Sequence, residues 1–162
     1  ARTVWLGYPG GPVVDRLAKE GNPSYKMPNI SLGDSYDFSF SGIKSNVINL
    51  VHNINQRNEE VNIPDLCASF QEAVTDVLVT KSIKAIKEYN AKMFMIAGGV
   101  AANKGLRKKI DERITDVKVV IPEFKYCTDN AAMIGVAGYY QYLKKQETDD
   151  MELNGKSRLK LE

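Results

Sequence analysis

Two short segments of the chain place small or polar residues where a helix should begin. Residues 95–103 read Met-Ile-Ala-Gly-Gly-Val-Ala-Ala-Asn, an apolar run followed by Gly98-Gly99 and then Asn103. A turn of two glycines carries no side chain, so a ligand can approach its backbone directly. The following helix offers unpaired N–H groups and a positive dipole end, which suit phosphate or carboxylate. The segment predicts either a binding site for such a ligand or only a turn and a helix cap.

The second segment, residues 128–135, reads Thr-Asp-Asn-Ala-Ala-Met-Ile-Gly and opens an apolar helix with polar side chains. The carboxylate of Asp129 could face a ligand or a metal ion, since carboxylate oxygens ligate hard and borderline cations. The structural alternative is that Thr128 or Asp129 only caps the helix.

The elements around these segments predict how they are positioned. Apolar periodicity and Gly/Pro signals predict five elements from residue 64 onwards. They are a helix at 64–89, a strand at 92–97, a helix at 104–113, a strand at 117–121 and a helix at 128–145. This order implies two parallel strands joined by a helical crossover, and ligands of such sheets bind at the carboxyl ends of the strands. We therefore expect Asn103 and Asp129 to open onto the same edge and share one site.

The first part of the chain is more irregular. Residues 8–12, Tyr-Pro-Gly-Gly-Pro, predict a turn. The expected elements are the end of a helix at 1–6, a helix at 12–20, a loop at 21–34, a short strand at 37–42, a helix at 43–54 and a polar linker at 55–62. The strand is inferred from the alternation of Phe38 and Phe40 with small polar residues.

Composition limits the class of protein. The chain has 162 residues, 43% of them hydrophobic and 26% charged, with a net charge of +2, as expected for a soluble domain with a sizeable core. It contains no run of about 18 apolar residues, and residues 1–5 are not expected to belong to a signal peptide because their apolar region is too short. Cys67 and Cys127 lie far apart in no metal-binding spacing, which favours a reducing cytoplasm.

The basic cluster after Asn103 and the single histidine are two further candidate sites. The basic residues Lys104, Arg107, Lys108 and Lys109 form a cluster on the helix after Asn103, and such a helix face is usually only solvated. His52 is the single histidine, and a lone helical histidine is more often a surface residue than a metal ligand.

Four motifs, at residues 8–12, 37–44, 97–103 and 127–134, occur in an order and spacing that resemble one known family. It is the universal tRNA threonylcarbamoyladenosine transferase family, formerly called O-sialoglycoprotein endopeptidase, and the likeness is to its carboxyl-terminal half. The resemblance implies an α/β fold: a partial lobe of the actin-like ATPase superfold, which is ribonuclease H-like, helix-rich and built on a short parallel sheet. The lobe should cover residues 1–146, and residues 147–162 should form a polar, disordered tail whose final Leu161-Glu162 resembles a cloning remnant.

The family transfers a threonylcarbamoyl group from its mixed anhydride with AMP to N6 of the adenosine at tRNA position 37. By this resemblance Gly11 lies at the substrate nucleotide, Asp15 holds ribose hydroxyls, and Asn103 contacts the adenosine. Asp129 matches a ligand of the family's active-site metal, iron or zinc. With the glycine turn included, the expected nucleotide-binding set is Gly11, Asp15, Gly98, Gly99 and Asn103.

Other parts of the family pattern are missing from this chain. The family's two metal-binding histidines, its glycine-rich phosphate turn and the first antiparallel strands of this lobe all precede Tyr8 in the family. We therefore expect a segment of a longer enzyme that is inactive alone, holds no metal by itself and self-associates. In the full-length enzyme the expected partners are tRNA, threonylcarbamoyl-AMP, a paralogous actin-like protein and a small ATPase.

Two alternatives stay open at this point. The chain could be the nucleotide-binding half of another actin-like protein, such as a sugar kinase, or an interaction fragment without chemistry. The peptidase activity in the family's old name is disfavoured, since the sequence contains no His-Glu-x-x-His motif.

Overall fold

The computed structural model describes residues 6–28, 33–146, 148 and 150–155. The chain divides into two compact units, Ala1–Cys127 and Thr128–Glu162, and each is described by itself. The predicted helix end at residues 1–6 lies outside the described residues apart from Leu6, which is not helical. Most of the predicted tail also lies outside them.

The helices and strands follow the predicted order from residue 64 onwards. The α-helices are α1 (Gly10–Leu17), α2 (Phe40–Gln56), α3 (Ile63–Glu88), α4 (Lys104–Arg113) and α5 (Ala131–Lys145), and the strands are β1 (Met93–Met95) and β2 (Lys118–Val120). Two short 3₁₀ helices, Gly99–Ala102 and Phe124–Tyr126, follow the strands. Within the described residues no helix is long and apolar enough to cross a membrane.

The long helix α3 begins and ends within one residue of the predicted limits. Its amino terminus is fixed by Asn62, whose side chain accepts a hydrogen bond from the Asp65 N–H at 3.1 Å. Pro64 occupies the first turn, where its missing N–H would have no helical partner. The acidic Asp65 in the first turn and the basic Lys87 in the last both complement the helix dipole.

The hydrophobic core lies where α3 and α4 pack against the sheet. Strands β1 and β2 pair in parallel, with Phe94 opposite Val119, and these two side chains are partly buried against the core. The core itself is formed by the buried side chains of Val79, Leu106, Ile110 and Ile114. Burial of each such aliphatic side chain contributes roughly 1.5–3 kcal/mol, which fixes the positions of α3 and α4 on the sheet.

The predicted strand at residues 37–42 is wrong, because α2 begins at Phe40. Ser39 has an extended backbone and is the residue before the helix, while Phe38 takes part in a single β-bridge. The helical pattern of Ile43, Val51 and Ile54, all buried, extends back through the aromatic segment and overrides its short alternation. The rings of Phe38 and Phe40 contact each other instead, with centroids 4.9 Å apart.

Candidate functional site

A cleft of about 350 Å³ lies between α1, α3 and the turn after β1. Its apolar lining residues are Val14, Phe70, Val74, Leu78 and Val100. The polar or small residues at the cleft are Gly10, Gly11, Gln71, Thr75 and Asn103. The structure therefore brings Gly11 and Asn103, which lie far apart in the sequence, to one cavity.

Asn103 has two structural partners at the cleft. Its Oδ1 accepts a hydrogen bond from the Leu106 N–H at 2.7 Å, which caps α4. Its Nδ2 donates to Gln71 Oε1 on α3, also at 2.7 Å. The prediction that Asn103 caps a helix is therefore confirmed, and the same side chain also lines the cavity.

Asp15 ties α1 to the beginning of α4. Its Oδ1 accepts a hydrogen bond from the backbone N–H of Lys104 at 3.1 Å. A carboxylate at this position satisfies an unpaired helix donor and complements the helix dipole. Asp15 is partly buried and lies on the same helix as Gly11, but it is not among the residues that line the cleft; of the five predicted nucleotide-binding residues, Gly11 and Asn103 line it.

Gly98 and Gly99 form the predicted turn but are not among the residues that line the cleft. Gly98 has φ of 83°, a left-handed conformation that glycine adopts without steric cost. Its carbonyl accepts a hydrogen bond from the Ala101 N–H at 3.0 Å. The turn thereby directs Val100 to the cleft and Asn103 to the start of α4.

Arg107 is a structural anchor, which corrects its assignment to a solvated basic face. Its guanidinium donates to the carbonyl oxygens of Ala101 and Pro122, both at 2.6 Å, and to the Cys127 sulfur at 3.2 Å. It also stacks 4.1 Å from the centroid of the Phe124 ring. A planar guanidinium can make all these contacts at once, and it joins the turn after β1 to the loop after β2.

Lysines of the same cluster are also paired. Lys109 contacts Glu72 at 2.5 Å and Asp76 at 3.7 Å, which links α4 to α3. Lys108 pairs with Glu112 on its own helix at 3.7 Å. Arg107, Lys108 and Lys109 are therefore engaged with other groups of the protein, whereas Lys104 is exposed.

Comparison with known proteins identifies the family. The family model described as TsaD, tRNA N6-adenosine threonylcarbamoyltransferase, matches residues 1–136. The chain belongs to this family. A protein of Staphylococcus carnosus named tRNA N6-adenosine threonylcarbamoyltransferase is 52% identical over all of this chain, and one of Staphylococcus aureus strain JH9 with the same name is 51% identical. The match covers 48% of each relative, so the chain spans about half the length of the curated relatives it matches.

Asp129, the family position expected to ligate a metal, lies in the second unit and does not cap α5. The cap is Asn130, whose Oδ1 accepts a hydrogen bond from the Met133 N–H at 3.0 Å. The helix begins at Ala131 rather than at Thr128 as predicted, so the capping alternative for Thr128 and Asp129 is wrong. Asp129 is exposed.

The described part of the chain does not by itself provide a set of ligands for the divalent metal that the resemblance leads one to expect. It contains no group of three or more His, Cys, Asp or Glu side chains arranged to hold a metal ion. Lasting sites for such metals use three or four protein ligands, and Asp129 alone could supply at most one. His52 is exposed on α2, where its Nε2 lies 3.0 Å from Gln56 Nε2.

Sequence reasoning missed Gln71 and the structural role of Arg107. A signal for Gln71 was present, because it falls at helical spacing within the apolar positions Cys67, Phe70, Val74 and Leu78 of α3. A polar residue on such a face needs a hydrogen-bond partner when the face packs against another element. Both cysteines are buried and free, and burial raises the pKa of the Cys67 thiol.

Proposed function

We propose that this chain is the carboxyl-terminal half of an enzyme that transfers threonylcarbamoyl from threonylcarbamoyl-AMP to N6 of adenosine 37 in tRNA. The observation that carries the proposal is the cleft, which joins Gly11 and Asn103 in a chain of the threonylcarbamoyltransferase family. In this proposal the cleft is one wall of the nucleotide site. The remaining wall belongs to the part of the relatives that this chain does not match.

The lining of the cleft suits an adenosine group. Apolar side chains such as Phe70 and Val100 can pack against the faces of a purine ring. The amide of Asn103 can hydrogen-bond to the edge of the ring. At Gly11 a Cβ would meet nothing within 4 Å, so the backbone there is open to a sugar.

Asp15 has acceptor capacity left for a ribose. A carboxylate has about four lone-pair positions, and the Lys104 N–H uses one of them. Ribose hydroxyls can therefore bind without releasing α4. This arrangement would hold the ribose beside the start of α4.

The proposed reaction is an acyl transfer. The N6 amine of the tRNA adenosine attacks the carbamoyl carbon, a C–N bond forms, the bond from that carbon to the phosphate oxygen breaks, and AMP leaves as the amine loses a proton. This chain would contribute to the rate by holding the AMP group in position. We further propose that Asp129 supplies one ligand of a divalent iron or zinc ion in the full-length enzyme, with the others from outside this chain, and we derive no step through that ion.

We propose that the full-length enzyme has the partners that the family resemblance implies. They comprise tRNA, threonylcarbamoyl-AMP, a paralogous actin-like protein and a small ATPase, in the cytoplasm. The 162-residue chain alone is proposed to be inactive, because it supplies one wall of the site.

The test uses a full-length family member whose carboxyl-terminal half is this chain. With threonylcarbamoyl-AMP and unmodified tRNA, we expect modified adenosine in nucleoside digests read by mass spectrometry. Asn103→Ala should weaken AMP binding several-fold, whereas Lys108→Ala, on the solvent side of α4, should not. Absence of transfer by the unaltered full-length protein, or equal AMP affinity for both variants and the parent, would overturn the proposal.

A further inference from the structure

We propose that Gln71 is a positioning residue that fixes the Asn103 amide and makes Asn103 a hydrogen-bond donor toward the nucleotide. The inference rests on the proposed function, because it concerns the same cleft. Gln71 and Asn103 both line that cleft and come from different elements, α3 and the start of α4.

The orientation of the Asn103 amide follows from its two partners. The backbone N–H of Leu106 can only donate, so the atom that faces it at 2.7 Å must be the oxygen Oδ1. The nitrogen Nδ2 therefore points to Gln71, whose Oε1 accepts one of its two hydrogens at 2.7 Å. One N–H of Asn103 remains for a ligand.

Gln71 stabilises this state by adding a second hydrogen bond to the one that the Leu106 N–H makes. Rotation of the Asn103 amide by half a turn would place an NH₂ group against the Leu106 N–H, and Gln71 would have to turn its own amide to keep a bond to the Asn103 oxygen. The contact with the Leu106 N–H would then join two donors in a partly buried site, and an unmade hydrogen bond there is costly. Without Gln71, only the helix cap holds the amide.

Gly105 keeps room for this contact. A Cβ at position 105 would lie 2.5 Å from Gln71 Nε2, 3.0 Å from Gln71 Cδ and 3.3 Å from Asn103 Oδ1. The atoms it would meet first belong to a flexible side chain, so an alanine would displace Gln71 rather than the backbone. Because alanine favours a helix over glycine, Gly105→Ala can disturb the amide contact without unfolding α4.

The experiment measures binding of adenosine, which carries no charge, to the full-length protein by calorimetry. Gln71→Met keeps the side-chain length and removes the acceptor, so affinity should fall about fivefold to tenfold, the value of one hydrogen bond. Gln71→Glu keeps an acceptor for Asn103 Nδ2 and should restore affinity to within about twofold. In transfer assays, Gln71→Met should raise the KM for threonylcarbamoyl-AMP more than it lowers kcat.

Two variants separate positioning from general packing. Glu72→Gln weakens the contact between α3 and Lys109 without touching Asn103, so it should lower the melting temperature and leave adenosine affinity unchanged. Gly105→Ala should lower adenosine affinity and leave the melting temperature unchanged. Equal adenosine affinity for Gln71→Met and the parent, or equal losses for the Met and Glu variants, would overturn the inference while the proposed function stands. No adenosine binding by the parent protein would overturn both.

Discussion

Single side chains at the cleft serve the fold and the proposed site together. Asn103 caps α4 and lines the cavity, and Asp15 binds the α4 terminus from a helix that also carries Gly11. A simple alanine substitution at either position therefore changes stability and ligand binding at once. Variants that keep one hydrogen bond and remove the other are needed to separate the two roles.

Arg107→Met should release the loop that follows β2. The substitution leaves the carbonyl oxygens of Ala101 and Pro122 without their donor, and loss of bonds to a charged group costs about 1.5–3 kcal/mol each at most. We expect a lower melting temperature and faster reaction of the buried Cys127 with a thiol reagent in a Cys67→Ser background. Arg107→Lys should give an intermediate result, because an ammonium cannot reproduce the fork geometry. Unchanged reactivity of Cys127 would contradict the anchoring role.

Asp129 and its neighbour Asn130 should respond oppositely to alanine substitution. Asn130→Ala removes the α5 cap and should cost about 1 kcal/mol, with little direct effect on the reaction. Asp129→Ala should leave stability within about 0.5 kcal/mol, as for an exposed surface substitution, and abolish turnover of the full-length enzyme. Thermal melting and transfer assays on both variants test this. Normal turnover with Asp129→Ala would exclude its proposed role as a metal ligand.

At the scale of elements, the loop after α1 is held on the amino terminus of α3. The Asn22 N–H and the Ser24 hydroxyl donate to the Asp65 carboxylate at 2.8 and 3.1 Å. The Tyr25 N–H donates to the Ser69 hydroxyl at 2.9 Å. These bonds connect α1, which carries Gly11, to the helix that forms the opposite wall of the cleft.

Gly21→Ala should detach this loop. A Cβ at Gly21 would lie 2.2 Å from the Pro64 carbonyl carbon and 2.5 Å from the Asp65 nitrogen, both backbone atoms that cannot move aside. Overpacking of this kind costs about 1–3 kcal/mol. We expect faster hydrogen exchange at the Asn22 and Tyr25 amides. Gly42→Ala is the matched control, because its Cβ would meet nothing within 4 Å, and it should leave those exchange rates unchanged.

At the scale of the whole molecule, the described sheet is small and leaves apolar side chains of one face exposed. It contains two strands in the part of the chain that the structure describes, and Met93 and Met95 on its outer face are 44% and 67% exposed. Unpaired strand edges and exposed apolar faces favour association with other chains. The exposed rings of Phe38 and Phe40 form a second apolar surface at which another chain could bind.

The 162-residue chain by itself is therefore expected to self-associate and to be inactive in tRNA modification. Sedimentation at several concentrations should show a mass that rises above 18.1 kDa, and Phe38→Ser with Phe40→Ser should reduce the rise if the aromatic pair is the contact. A single species of 18.1 kDa up to high concentration would contradict association. Threonylcarbamoyl transfer above a control without enzyme would contradict inactivity.

The sequence by itself determined the elements from residue 64 onwards and the family. Long apolar periodicity marks α3 and its partners, and Gly98-Gly99 with Asn103 marks the turn and cap, because these signals are local. The short aromatic alternation at 37–42 misled the prediction, since few residues carry it and the helix behind it decides the conformation.

Only the tertiary structure decided which side chains meet. The pairing of Gln71 with Asn103, of Asp15 with Lys104, and of Arg107 with the loop after β2 joins residues from different elements. No local pattern encodes such contacts, because they depend on how α1, α3 and α4 pack over the sheet. The sequence therefore specified the polar residues that could form a site, and packing selected the partners that orient them.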